Sequence, residues 1–214
     1  KVEGYLLTMD IRGSTQFKIN AASEVWSRFM NSYHSMATQI TGKHGGYVHK
    51  TAGDGFLVSF GVMNAGADLS DIPCIEMDVA NADHTRHSYD FENASKAITE
   101  IQDEFFRLRE KYLISENLRL GSALGFGEIT IVQRGHESYR MEFDIDGEVI
   151  QRCKRLEEYS KVIAKQISDE CGVCVFSTEL QKYIHKLSHL HEWKITQANM
   201  KVRDFPQINT LYYK

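Results

Sequence analysis

The sequence predicts an α+β fold, a sandwich in which helices cover a mostly antiparallel sheet. Short apolar runs that suit strands are interleaved with long amphipathic stretches that suit helices. Their order lacks the strict strand–helix alternation of a parallel sheet. A Gly-Asp-Gly turn between two strand-like runs marks a β-hairpin.

Tyr5–Met9 (YLLTM) is an apolar run ending at Asp10, and it reads as a buried strand. IRGST follows, and then a helix. Val25, Trp26, Phe29, Met30, Tyr33, Met36, Ala37 and Ile40 recur there at helical spacing. Gly42 and the Gly45-Gly46 pair end that helix. They lead into the hairpin GGYVHKTAGDGFLVSFG, Gly45–Gly61, with Asp54 at its tip. Residues 62–90 carry Asp68, Asp71, Glu76, Asp78, Asp83 and Asp90 with one arginine, Arg86. They show no sustained period and read as a surface insertion or lid. A second amphipathic helix begins at Phe91 and continues through Ala94, Ala97, Ile98, Ile101, Phe105, Leu108 and Tyr112.

Leu118–Val132 gives two strands around Gly125–Gly127, and Tyr139–Ile145 gives another. A helix from Gly147 to Lys165 shows Val149, Ile150, Cys153 and Leu156 on one face. A strand (Val173–Phe176), a short helix (Thr178–His185) and closing strands near Leu190–Val202 and Ile208–Tyr213 complete the chain.

The 214 residues, 42% of them hydrophobic, suit one domain over 1–214 with an insertion at 62–90. A net charge of −4 argues against a nucleic-acid partner. No apolar run approaches the roughly 20 residues that span a bilayer. The short apolar start ends at an acid, unlike a signal peptide. Four cysteines without a framework spacing suit a reducing cytoplasm.

Asp10 and Asp54 each close a strand. If those strands are neighbours, both acids face one point, which is what Mg²⁺ asks for: oxygen ligands, with remaining sites left to water and phosphates. Two such ions can clamp an in-line displacement at phosphorus. Gly13, Ser14 and Thr15 sit just ahead of a helix, where free backbone N–H groups suit a triphosphate. Other motifs read as structural. Cys171-Gly-Val-Cys174 abuts a strand and lacks a second CxxC. His84, His87, Asp83 and Cys74 read as a polar loop, and HKLSHLH, His185–His191, as a helix end.

MDIRGST, KTAGDG, LRLGSALGFGEITIV and FDIDGEVIQRCKRLEEYS resemble, in order, the core blocks of the class III nucleotide cyclases. The resemblance runs from about Tyr5 to Ile163. It implies the family's ferredoxin-like palm and a head-to-tail homodimer with composite sites. It also implies two Mg²⁺ or Mn²⁺ ions held by Asp10, Ile11 and Asp54. Ile11, Arg12, Gly13, Ser14 and Thr15 would line the phosphates, with Lys201 against the terminal ones. The other subunit would bring Lys50 and Asp144 for the base, Gln151 for the ribose and Arg155 for the transition state. Gln151 departs from the family's usual asparagine by one methylene.

The implied reaction is attack of a ribose 3′-OH on the α-phosphorus, with loss of pyrophosphate. A lysine donor and an aspartate acceptor fit adenine, uracil or cytosine. Ring size must then decide, and Tyr47, Phe56 or Phe143 could fill space that a purine needs. A bare catalytic domain with an acidic insertion and Gln151 resembles the pyrimidine cyclases of bacterial anti-phage signalling, whose product acts on a separate effector. The expectation is therefore UTP to cyclic UMP, with ATP to cyclic AMP as the alternative. A nucleotide-binding homologue without turnover, or a dinucleotide cyclase, are the further readings.

Overall fold

In chain order the elements are β1 (Val2–Arg12), α1 (Ser14–Asn20), α2 (Ser23–Lys43), β2 (Gly46–Ala52), β3 (Gly55–Phe60), α3 (Ala82–Lys111), β4 (Arg119–His136), β5 (Arg140–Asp146), α4 (Glu148–Ile167), β6 (Gly172–Ser177), β7 (Lys194–Gln197) and β8 (Thr210–Tyr213). The structure, a computed structural model, describes residues 1–63, 82–114, 118–136, 140–167, 172–177, 180, 194–197 and 210–213. The strands pair in the order β2-β3-β1-β4-β6-β8-β7, and β5 pairs with the far half of β4. Only β4 and β6 run parallel among these pairs, so the expected α+β, mostly antiparallel sheet is what the chain forms.

β1 explains the two layers. Successive side chains of a strand point to opposite faces. Tyr5, Leu7, Met9 and Ile11 pack with Phe29, Tyr33 and Ala37 of α2 and Ile98 and Phe105 of α3. Leu6 faces the other way and joins Val149, Ile150 and Cys153 of α4. Burial on both faces makes the strand read as a continuous apolar run. The same alternation sends Thr8 and Asp10 to the α4 face.

The expected break at Gly125–Gly127 does not occur: β4 is one strand of 18 residues. The glycines serve packing. A Cβ on Gly125 would lie 2.6 Å from Cys153 Sγ and 3.2 Å from Val149 Cγ2, and one on Gly127 would lie 3.3 Å from Val149 Cβ. They let α4 sit down on the strand.

Residues 82–90 also differ from the expected loop, because α3 begins at Ala82. Its first described side chains are polar, which hides the helical period, yet they face inward. Arg86 donates to the Gly61 carbonyl at 2.9 Å, and His87 meets the Phe126 ring edge-on at 4.9 Å. Burial pushes Asp90 up to about 6, against the opposing pull of Arg86. His87 thus packs on an aromatic ring, as a structural residue does. Residues 64–81, with Cys74, lie outside the described residues, as do Cys171 and His185–His191.

In the hairpin, Val48 pairs with Val58 and Lys50 with Leu57, so His49 is an extra residue, a β-bulge. Val58 faces the α2–α3 core and Leu57 the α4 side. The bulge therefore brings Lys50 to the α4 face, on which Tyr47 also lies through its pairing with Ser59.

Gly125→Ala should overpack the β4–α4 seam and destabilise the protein by about 1–3 kcal/mol. Urea unfolding should show a lower midpoint at unchanged slope. Adding Cys153→Ala should recover part of the loss.

Candidate active site

β1 and the hairpin bring Asp10 and Asp54 together. Met9 pairs with Phe56, so Asp10 lies level with the turn at Gly53-Asp54. The turn is held from below. His34 of α2 shares a 3.0 Å hydrogen bond with the Gly53 carbonyl, and Gly53 takes the left-handed φ of 65°. Phe56 packs edge-on against Tyr33 and His34, at 5.3 and 5.1 Å between centroids. Three contacts thus fix the tip over α2, and the tip fixes Asp54.

The carboxylates lie close enough for the charge of Asp54 to act on Asp10. Burial raises the Asp10 pKa above its ordinary value, and the Asp54 charge adds to this against the pull of Arg12 and Lys161. Asp54 Oδ2 is buried without a hydrogen-bond partner. Beneath them the Tyr33 hydroxyl is buried, also unpartnered, and held neutral by burial and by both acids. Converging like charges with an orphaned oxygen need a cation or a proton. Among the described residues no three His, Cys, Asp or Glu side chains cluster. A cation here would draw on two carboxylates, with backbone, water or phosphate completing its shell, which suits Mg²⁺ or Mn²⁺.

Beside the pair opens a cleft of about 410 Å³. Asp10, Ile11, Arg12, Gly13, Ser14 and Thr15 all line it. Gly13 turns the chain with φ 83°, and its carbonyl accepts from Phe17 N–H at 3.0 Å. Phe17 is buried against Trp26 and Phe29, which anchors α1 on α2.

The cleft also holds cations that the sequence reading did not single out. Arg119 pairs with Arg12 across β1–β4, and Lys161 and Lys165 project from α4. Glu157, Lys161 and Lys165 follow one another at four-residue spacing, so they share a helix face. That spacing was the available signal. Glu157 is hydrogen-bonded to Arg12, yet burial first, and the nearby Asp10 charge, push it up to about 7 against the guanidinium.

The other expected residues stand apart. Lys50 faces a second hollow with Thr8, Asp10, Lys154 and Glu157. Gln151 is exposed, and Arg155 reaches Glu158 at 3.2 Å. Asp144 sits on β5 near His49, whose pKa falls through burial while Asp144 opposes the shift. His49 binds Ser59 Oγ at 2.7 Å and meets the exposed Tyr47 ring at 4.8 Å. Gln151, Arg155, Tyr47 and Asp144 therefore line neither hollow that Asp10 borders in one chain, while Lys50 shares the second of them with Asp10. The Phe56 ring packs in the core under the hairpin, and the residue also lines the hollow of Lys50. Lys201 and the Phe143 side chain lie outside what is described.

Solved structures show where this architecture recurs. The chain matches the adenylyl cyclase CyaB from P. aeruginosa with a TM-score of 0.73 at 20% identity, over 99% of this chain and 92% of that one. The fold is that of the adenylyl and guanylyl cyclases. It also matches the guanylyl cyclase Cya2 (TM-score 0.66, 19% identity, 99% and 90% covered). The guanylate cyclase domain of RhGC from Catenaria anguillulae, in complex with GTP, matches at 0.67 with 14% identity over 99% and 94%. No protein-family model matches the chain, and no curated protein does. Among the described residues no helix is long and apolar enough to cross a membrane.

Glu157 and Asp90 bind their protons more tightly in the folded protein than at their ordinary values of 4.5 and 3.8. That contribution to stability is complete below those values and is lost as pH rises through about 6 and 7. Melting temperatures of the metal-free protein should carry this loss, and Glu157→Gln should abolish its upper part. Parallel melts across that range check it.

Proposed function

We propose that the chain is a nucleotide cyclase, converting a nucleoside triphosphate to its 3′,5′-cyclic monophosphate and pyrophosphate. The meeting of Asp10 and Asp54 beside the Gly13–Thr15 turn, within a cyclase fold, carries this reading. Bound Mg²⁺ or Mn²⁺, held by Asp10, Asp54 and the Ile11 carbonyl, supplies acidification of the 3′-hydroxyl and neutralisation of phosphate charge. The chain's own groups do the rest. Backbone N–H groups at Gly13–Thr15 and the cations Arg119, Lys161 and Lys165 take the triphosphate, together with Lys201.

The remaining chemistry comes from a second copy in a head-to-tail homodimer. In support, Asp144, Gln151 and Arg155 line neither hollow that Asp10 borders. Arg155 of the partner subunit donates to the crowded α-phosphate, and Gln151 of the partner subunit steadies the ribose. Removing such a donor costs about 10²–10³ in rate. Lys50 and Asp144 of the partner subunit read the base edge. Tyr47 lies on the face of Lys50, with its ring against His49, and narrows the space beside the base. This favours a pyrimidine, UTP before CTP, giving cyclic UMP as a second messenger of bacterial anti-phage defence that acts on a separate effector. The chain then works in the cytoplasm, without nucleic acid or membrane.

Competition of all four labelled nucleoside triphosphates with Mn²⁺ should yield chiefly cyclic UMP. Cyclic AMP as the main product would transfer the reading to ATP. No pyrophosphate from any of them would leave a binding protein without turnover, and a dinucleotide would point to a dinucleotide cyclase.

Asp54→Ala should abolish turnover yet leave the melting temperature within a few degrees, because a turn acid supports no core. Asp54→Ala mixed with Arg155→Ala should regain activity through one intact composite site. Mixed dimers that form and stay inactive would contradict shared sites.

A further inference from the structure

The Arg12 guanidinium lies between carboxylates of two different elements. Nη1 donates to Asp10 Oδ2 at 3.1 Å. Nη2 donates to Glu157 Oε1 at 2.5 Å and to the Glu157 carbonyl at 2.6 Å. The last bond grips the α4 backbone itself. The side chains of Arg12 and Glu157 are only 16% and 14% exposed, so solvent screens the pair weakly. β4 makes room for it. Gly121 is the cross-strand partner of Asp10, and a Cβ there would fall 2.4 Å from Arg12 Nε. A glycine, a part-buried ion pair and a backbone bond therefore converge on one arginine next to the acid pair.

α4 carries Gln151 and Arg155 within the two turns before Glu157. In a dimer with shared sites, β1 serves one site and that stretch of α4 serves the other. We propose that Arg12 and Glu157 form a positioning latch, orienting Asp10 for one site and setting α4 for the opposite one, so that the two sites are coupled. This rests on the composite-site reading above.

The charge logic fixes the sign. With Glu157 neutral, the guanidinium turns its charge to Asp10 and competes with a cation for that carboxylate. Glu157→Gln keeps the shape and an acceptor, so the fold is retained. Mn²⁺ binding to the substrate-free protein, followed by electron paramagnetic resonance, should weaken about tenfold in Glu157→Gln. In an Arg12→Ala background the same change should have no further effect. Wild-type protein that binds Mn²⁺ alongside a Glu157→Gln variant of equal affinity overturns the latch. Additive effects of the two substitutions also overturn it. Wild-type protein that binds no Mn²⁺ overturns the metal reading itself, a separate result.

The coupling is read in mixed dimers with one working site, Arg155→Ala in one protomer and Asp54→Ala in its partner. Glu157→Gln placed in the Arg155→Ala protomer should raise the Mn²⁺ requirement and leave kcat at saturating Mn²⁺ unchanged. Placed in the Asp54→Ala protomer, it should lower kcat and leave the Mn²⁺ requirement unchanged. An effect from the first placement alone confines Glu157 to its own metal end and overturns the coupling.

Discussion

Two carboxylates held against their own repulsion set the terms for the rest of the molecule. Asp10 feels the charge of Asp54 directly, and one Asp54 oxygen is buried without a partner. Nothing in the acids themselves favours that approach. It is imposed by β1 in the middle of the sheet and by a hairpin tip clamped from beneath by His34, Tyr33 and Phe56. A rigid core around a strained polar centre is how folds prepare a site before its ligand arrives.

α4 is the second constraint. Its apolar row, Val149, Cys153 and Leu156, seats it over β4, where glycines remove the side chains that would hold it off. Its other faces are then committed by helical geometry. Lys161 and Lys165 look toward the cleft of the same chain and Glu157 toward the neighbouring hollow, while Gln151 and Arg155 line neither. One helix of 20 residues thus addresses two directions at once. The proposed composite site rests on that division.

Much of this could be read from the residues. The continuous apolar run of β1 and the 3.6-residue rows of α2 and α4 are long and clean, and a Gly-Asp-Gly turn admits few conformations. The convergence of Asp10 and Asp54 followed once their strands were taken as neighbours. Three things were hidden, each for a physical reason. The start of α3 carries inward-facing polar side chains, Arg86 and His87, so its helical period is invisible to hydropathy. Gly125 and Gly127 look like turn formers but act through space, against Cys153 and Val149. The roles of Arg12, His34 and Arg119 depend on partners far away in sequence, such as Glu157 and Gly53.

The extra residue at His49 has a reach beyond its own strand. A pleated ribbon counts in twos, and one inserted unit changes the parity of everything before it relative to everything after. Tyr47 and Lys50, an odd number of positions apart, land on the same side of the sheet because of that miscount. Deleting His49 would take the bulge with it and leave Tyr47 and Lys50 on one side as ordinary i, i+2 neighbours, whereas straightening the bulge at unchanged length would send one of them through the sheet. What is constrained here is therefore neither length nor composition alone but their agreement: an odd spacing demands the bulge, and an even one would demand its absence.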